Sequence, residues 1–213
     1  MTFSIVARDT RTGTFGIATA TAGPMVGALV PHVRPTFGAV ATQAMTNPYL
    51  ALDALAVIDS HNAVDALEMA LAKDGDADLR QVIIVDRDGL AAGWTGPRCI
   101  GHAGHLIGEG VAVAGNMLSD DAVLTAMMVG FKASLGDAGF ADALLAGLQA
   151  GALAGGDKRG IGSAALRVQA EQAYAEIDIR IDLSATPLND LGNLLGMAKA
   201  GSYYEFFKTV HRR

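Results

Sequence analysis

The sequence predicts an α+β protein, a four-layer αββα sandwich in which two mainly antiparallel sheets stack face to face between outer helices. Three observations carry this reading. Strand-like and helix-like runs come in blocks, in the order strands, two helices, strands, two helices, strands, one helix. That grouping fits stacked sheets better than an alternating parallel sheet. The 213 residues are 51% hydrophobic, with 26 glycines and 6% aromatics, which suits a tight Ala/Gly/Leu/Val interior. No linker, repeat or low-complexity block interrupts the chain, so residues 1–213 read as a single domain.

The opening "FSIVARD" and "TFGIATATAG" flank "TRTG", whose glycine suits a hairpin, so two paired strands are expected. A Gly/Pro-rich crossing leads to "FGAVATQA", a third strand. In "TNP", Asn47 is placed to cap a helix and Pro48 to occupy its first turn. Leu52, Leu55 and Asp59 continue at helical spacing, and Val64, Leu67 and Leu71 mark a second helix. "RQVIIVD", "RDG" and "LAAGWTG" read as a second hairpin, and "GVAVAG" as a buried strand ending at Asn116. From Ser119 the pattern is helical. Leu124, Met127, Met128 and Phe131 form one stripe and, after a break at Gly136 and Gly139, Phe140, Leu144 and Leu148 form another. "SAALRVQAEQAYAEIDIRIDL" returns to strands, and Thr186 with Pro187 starts a last helix bearing Leu188, Leu191 and Leu195.

Composition excludes several classes. A net charge of -6 and a pI near 5.2, with no basic stripe, argue against nucleic acid as a partner. The longest uncharged stretch, "GIATATAGPMVGALVPHV", is broken by Pro24 and Pro31, so no membrane helix is expected. Arg8, Asp9 and Arg11 arrive too early for a secretion signal, and the single Cys99 allows no internal disulfide; a cytoplasmic location is expected. "YYEFFKTVHRR", with four aromatics in five residues, suggests self-association as a homodimer or higher homo-oligomer.

The chemistry starts at Thr2. Removal of Met1, expected before so small a residue, would leave a hydroxyl and a free α-amine on one residue, and so a nucleophile with its own base. A plain β-branched strand residue is the simpler alternative. Gln43, Thr46 and Asn47 end an apolar strand with three polar groups suited to orienting an amide substrate, although a capped turn accounts for Asn47. In "GGDKRG" the glycines bring backbone donors together, and Lys158 and Arg159 are placed to hold a substrate carboxylate; a solvated charged loop is the alternative. Cys99, near His102 and His105, is the rival nucleophile, but a lone cysteine is usually a small buried hydrophobe. "HAGH" with Glu109 lies in a Gly-rich segment without metalloprotease context, so no metal and no cofactor are expected.

The stretches "MTFSIVARD", "GAVATQAMTNP", "RQVIIVD" with "TG" and Cys99 behind it, "AGH", "VAGNML", "AGGDKRG" with "SAAL", and "DIRID" run from Thr2 to Asp182. Together they resemble the DUF1028 family, assigned to the N-terminal nucleophile (Ntn) hydrolase superfamily. The resemblance implies Thr2 as nucleophile. It places backbone oxyanion donors at a strand-to-helix turn holding Gly115 and Asn116, with Ser119 as cap, and it makes Asp157 and Ser163 supports for the amine. This chain departs from the proteasome-like pattern: "FGIATATAG" carries no acid and "VPHVRPTFGAV" no lysine, which leaves Arg34 as the cation expected near Thr2. Two readings follow. One is an amidohydrolase of small amide or peptide-like substrates; the other is a non-catalytic binding or assembly protein on the same scaffold.

Overall fold

The computed structural model describes residues 2–136 and 139–213. Its strands are β1 (Thr2–Arg8), β2 (Phe15–Thr21), β3 (Pro31–Arg34), β4 (Gly38–Ala44), β5 (Arg80–Asp86), β6 (Ala91–Thr95), β7 (His102–Gly108), β8 (Val111–Leu118), β9 (Ser163–Gln169) and β10 (Ile177–Ile181). Its helices are α1 (Pro48–Val57), α2 (Ala63–Leu71), α3 (Ala122–Ser134), α4 (Phe140–Leu153), α5 (Pro187–Ala198) and α6 (Gly201–Lys208). The strands form a six-stranded sheet, β10-β9-β2-β1-β8-β7, and a four-stranded sheet, β3-β4-β5-β6. All described pairings are antiparallel. No described helix is long and apolar enough to cross a membrane.

Three apolar layers give the αββα order. Phe3, Ile5 and Ala7 of β1 pack with Met127, Phe131, Leu144 and Leu148 of α3 and α4, and with Leu191 and Leu195 of α5. Val40, Val82 and Ile84 face Leu50, Ala54, Ala66 and Leu67 of α1 and α2. Between the sheets lie Val6, Phe15, Ile17, Ala39, Ala41, Ile83, Val85, Ala112 and Ala114. Alternation along each strand therefore sends odd and even positions to different layers. In β1 the odd positions meet helices and the even positions meet the other sheet; in β2, β4 and β5 the odd positions face the other sheet.

The structure differs from expectation at the sheet edges. The Gly/Pro-rich crossing contains β3 and the Gly-rich "HAGHLIG" is β7, each an edge strand with a partly exposed face. Neither shows the continuous apolar run of a central strand, and Pro31 is tolerated because it opens an edge strand. Strand β8 continues past Asn116 to Leu118. Ser119 does not cap α3: the N-cap is Asp121, Asp120 accepts the Ala122 N–H at 2.7 Å, and the Ser119 hydroxyl donates to Ala154 O at 3.4 Å. At α5 the Thr186 side chain makes no cap bond; Ser184 Oγ accepts the Thr186 N–H instead, at 2.9 Å. The aromatic segment forms α6, with no buried residue.

Close packing of α4 on β2 depends on Gly16. A Cβ there would collide with Leu144 Cδ1 and lie 2.7 Å from Phe140 Cε1, whereas one at Gly23 would meet nothing. Gly16→Val is expected to destabilise the fold by about 1–3 kcal/mol through overpacking, and Gly23→Ala to leave it within about 0.5 kcal/mol, as read by urea denaturation.

Candidate functional site

The layer between the sheets is apolar at one end and polar at the other. Thr2 and Ser4 of β1, Thr19 and Thr21 of β2, Gln43 of β4, Gln81 of β5, Thr95 of β6, His105 of β7 and Asn116 of β8 occupy the same inward positions that hold Val6, Ile17, Ala41 and Ile83 elsewhere. Ser4, Thr19, Gln43 and Gln81 are fully buried. Such groups are tolerated only when hydrogen-bonded.

They satisfy one another in a single sense. Ser4 Oγ donates to Gln43 Oε1 at 2.5 Å, so the Thr19 hydroxyl, 2.7 Å away, donates to Ser4. Gln43 Nε2 donates to Gln81 Oε1 at 2.8 Å and to Thr2 O at 3.2 Å. Asn116 Nδ2 donates to Gln81 Oε1 at 3.0 Å and to Thr2 O at 3.4 Å. Gln81 Nε2 has Thr95 Oγ1, Gly104 O and Gly115 O, all at 2.9 Å, as acceptors for its two protons. Thr95 Oγ1 also lies 2.9 Å from His105 Nδ1, in a hydrogen bond whose direction follows the imidazole tautomer. Burial lowers the His105 pKa and so favours the neutral imidazole.

Thr2 sits where this network reaches the strand ends. Its carbonyl is held by two buried amides, and its hydroxyl donates to Thr21 Oγ1 at 3.3 Å. Among the described residues no ionisable side chain hydrogen-bonds that hydroxyl. The β2 end beside it is held by Asp157 and Ser163. Asp157 Oδ2 accepts the Ala22 N–H at 3.1 Å, and Ser163 Oγ donates to Gly23 O at 2.7 Å while accepting from Val26 N at 3.2 Å. These two residues reach Thr2 through the backbone of its neighbouring strand. Ala44 and Met117, where β4 and β8 reach Thr2, have φ of 72° and 49°. Left-handed backbone at non-glycine residues stores strain of the kind that gathers at ligand sites.

Other expected site residues lie elsewhere or do structural work. Arg34 pairs with Gly38 at the opposite end of β4 from Gln43, a separation of roughly 17 Å at about 3.3 Å per residue. Its guanidinium is bound to Leu55 O at 2.9 Å and Asp59 at 2.9 Å, and it stacks on Phe37, so it closes the end of α1 and is not the cation beside Thr2. Asn47 caps α1 by accepting from Tyr49 N at 3.1 Å, and Thr46 bonds to Ala44 O at 3.4 Å. Gly115 is a strand residue opposite Phe3, not a turn residue. The Met117 and Ser119 N–H groups are engaged by Ile100 O and Gly156 O, which removes two backbone donors from the expected oxyanion turn. Lys158 is exposed, and Arg159 pairs with Asp157 at 3.4 Å. Burial pushes the Cys99 thiol pKa up, away from nucleophile chemistry. No cluster of His, Cys, Asp or Glu among the described residues is arranged to hold a metal.

Sequence reasoning missed Ser4, Thr19, Gln81 and Thr95 and gave His105 the wrong context. The available signal was parity: each polar residue lies in step with apolar core positions of its own strand, Gln81 with Ile83 and Val85 most plainly. Larger concavities, of about 340 and 470 Å³, lie by the "GGDKRG" loop and under α6; neither is lined by Thr2, Gln43 or Asn116.

The fold and site together define a four-layer αββα protein with a threonine opening a central strand against a buried amide and hydroxyl cluster. The chain belongs to the DUF1028 family: the model described as "Family of unknown function (DUF1028)" matches residues 2–191. The crystal structure of a DUF1028 protein from Silicibacter pomeroyi is similar to it at TM-score 0.91 and 32% identity, covering 98% of this chain and 91% of that one. Anbu (ancestral beta-subunit) from Yersinia bercovieri superposes at TM-score 0.47 and 10% identity, over 99% of each chain. No curated protein matches the sequence.

Two predictions follow from this geometry. Gln81→Met leaves the Gln43 and Asn116 donors without their shared acceptor, and a loss of about 2–4 kcal/mol is expected in urea denaturation. The second concerns Asp74, which ties Asn47 to Arg80. The hydrogen bond from Arg80, aided by Asn47, lowers its pKa from 3.8 to about 2. A folded pKa below the unfolded one contributes stability that is full above the unfolded value and lost as pH falls through the folded value. The advantage of wild type over Asp74→Asn should therefore hold at pH 7 and vanish between pH about 4 and about 2, as read by denaturation across that range.

Proposed function

We propose that this protein is an Ntn-type amidohydrolase that cleaves a C–N bond in a small amide or peptide-like substrate. One observation carries the reading: Thr2 opens a central strand with its carbonyl clamped by Gln43 and Asn116, so a hydroxyl nucleophile beside the strained strand ends is held in a fixed position. With Met1 removed, the Thr2 α-amine accepts the proton of its hydroxyl as Oγ1 attacks the substrate carbonyl. The same amine delivers that proton to the departing nitrogen, and water then hydrolyses the threonyl ester. Asn116 Nδ2, whose 3.4 Å bond to Thr2 O is the longer of its two, is the donor that turns to the oxyanion. Gln43 positions Thr2 from the other side. Asp157 and Ser163 hold the β2 end and act as positioning residues. The chain works as one unit, and the exposed Tyr203 and Phe206 of α6 form its self-association surface.

A binding or assembly role without turnover is favoured by one feature, the Thr2 hydroxyl whose only described side-chain partner is another threonine. Thr2→Ala distinguishes the two. It is expected to abolish hydrolysis of an amide library while leaving the melting temperature within a few degrees of wild type; full turnover in the variant would sink the mechanism. Intact mass of the protein from cells should show loss of Met1, the step that frees the amine.

A further inference from the structure

We infer that the cleft at the ends of β4 and β8 is a substrate subsite for a short aliphatic chain ending in a carboxylate, with Arg98 as its anion-binding group. The inference rests on the reading of Thr2 as nucleophile and names the substrate class. The cleft has a volume of about 110 Å³ and is lined by Ala44, Met45, Leu79, Arg98, Cys99 and Ile100, with Asn116 and Met117 closing it. A water's share of liquid volume is about 30 Å³, so the space suits a chain of roughly three or four carbons.

Four observations converge. Asn116 belongs to the cleft and also bonds Thr2 O, so the subsite begins one side chain from the proposed nucleophile. Both left-handed non-glycine residues of this region, Ala44 and Met117, form its walls. Met45 and Ile100 are 61% and 69% exposed, an apolar rim that water alone would not favour. Arg98 makes no side-chain hydrogen bond or ion pair among the described residues, unlike Arg80 beside it, which binds Asp74 at 2.9 Å and also Met45 O. An apolar slot with one unengaged guanidinium at its edge is complementary to a chain carrying one carboxylate. Bound this way, an ω-carboxylated amide such as glutaramate sets its methylenes along Leu79 and Ile100 and its amide toward Asn116.

Cys99 supplies the readout, because it lines the cleft and is the one cysteine of the sequence. In the Thr2→Ala protein, alkylation of Cys99 by iodoacetamide near pH about 9 is followed against increasing glutaramate or butyramide, each protein referred to its own unliganded rate. Glutaramate is expected to protect at a concentration at least about tenfold below butyramide, and Arg98→Met to abolish that difference while butyramide protection stays the same. Equal protection by the two amides, unchanged glutaramate protection in Arg98→Met, or no protection by either would overturn the subsite. Protection with no turnover by the Met1-free wild type would keep the subsite and remove the hydrolase reading. Turnover of other amides without protection would do the reverse.

Discussion

The structure depends on the buried hydrogen-bond chain that joins its two sheets. Polar side chains in a space about 10 Å thick between sheets are a liability unless each finds a partner across the gap. Gln81 is the point where this is resolved: it reaches from the smaller sheet to take hydrogen bonds from Gln43 and Asn116 and to give them to Thr95 and two carbonyls of the larger sheet's edge. Register follows from that contact as much as from the hydrophobic layer. A one-residue slip of β5 would turn Gln81 toward the helices and Ile83 away from its layer together. The same bonds fix the Thr2 carbonyl, so the constraint that aligns the sheets also sets the candidate nucleophile.

Much of the architecture was legible in the sequence because central strands and packed helices repeat their burial pattern plainly. β1, β2, β4, β5, β8 and β9 are continuous or alternating apolar runs, and Asn47 with Pro48 marks the start of α1 as expected. Edges were harder. β3 and β7 leave one side partly open to solvent, and a strand that buries half its positions resembles a loop when Gly, Pro or His supplies the rest. On α1 the buried face is Leu50, Ala51, Ala54 and Leu55, while Leu52 is exposed. Alanine signals burial weakly in a sequence, yet it is what lets a helix lie close to a sheet.

The candidate site was legible in part. Thr2, Gln43 and Asn116 meet although they are far apart in the chain: Thr2 stands out as the residue that opens β1, and Gln43 and Asn116 as polar groups closing apolar runs. Arg34 was chosen for its charge alone, and charge says nothing about which end of a strand a side chain occupies; the hairpin register sends it to the α1 terminus. Gln81 gives a weaker signal because it follows Arg80 at the start of β5, where two polar residues read as the end of the preceding loop. In an antiparallel pair, however, the start of β5 lies beside the end of β4, so Gln81 faces Gln43 directly. Pairing, which one sequence does not print, decided that neighbourhood.

An amide cannot exchange its donating and accepting ends without turning over, and at Gln43 and Gln81 the packed, fully buried surroundings leave no room to do so. Hydroxyls at Ser4 and Thr19 rotate freely in isolation, but here Ser4 takes its orientation from the Gln43 amide and Thr19 takes its own from Ser4. The belt thus has one sense of donation, from Thr19 through Ser4 and Gln43 to Gln81. Whichever way the Thr95–His105 bond runs, Gln81 still accepts from Gln43 and Asn116, so the two bonds that hold the Thr2 carbonyl require no particular protonation of the imidazole.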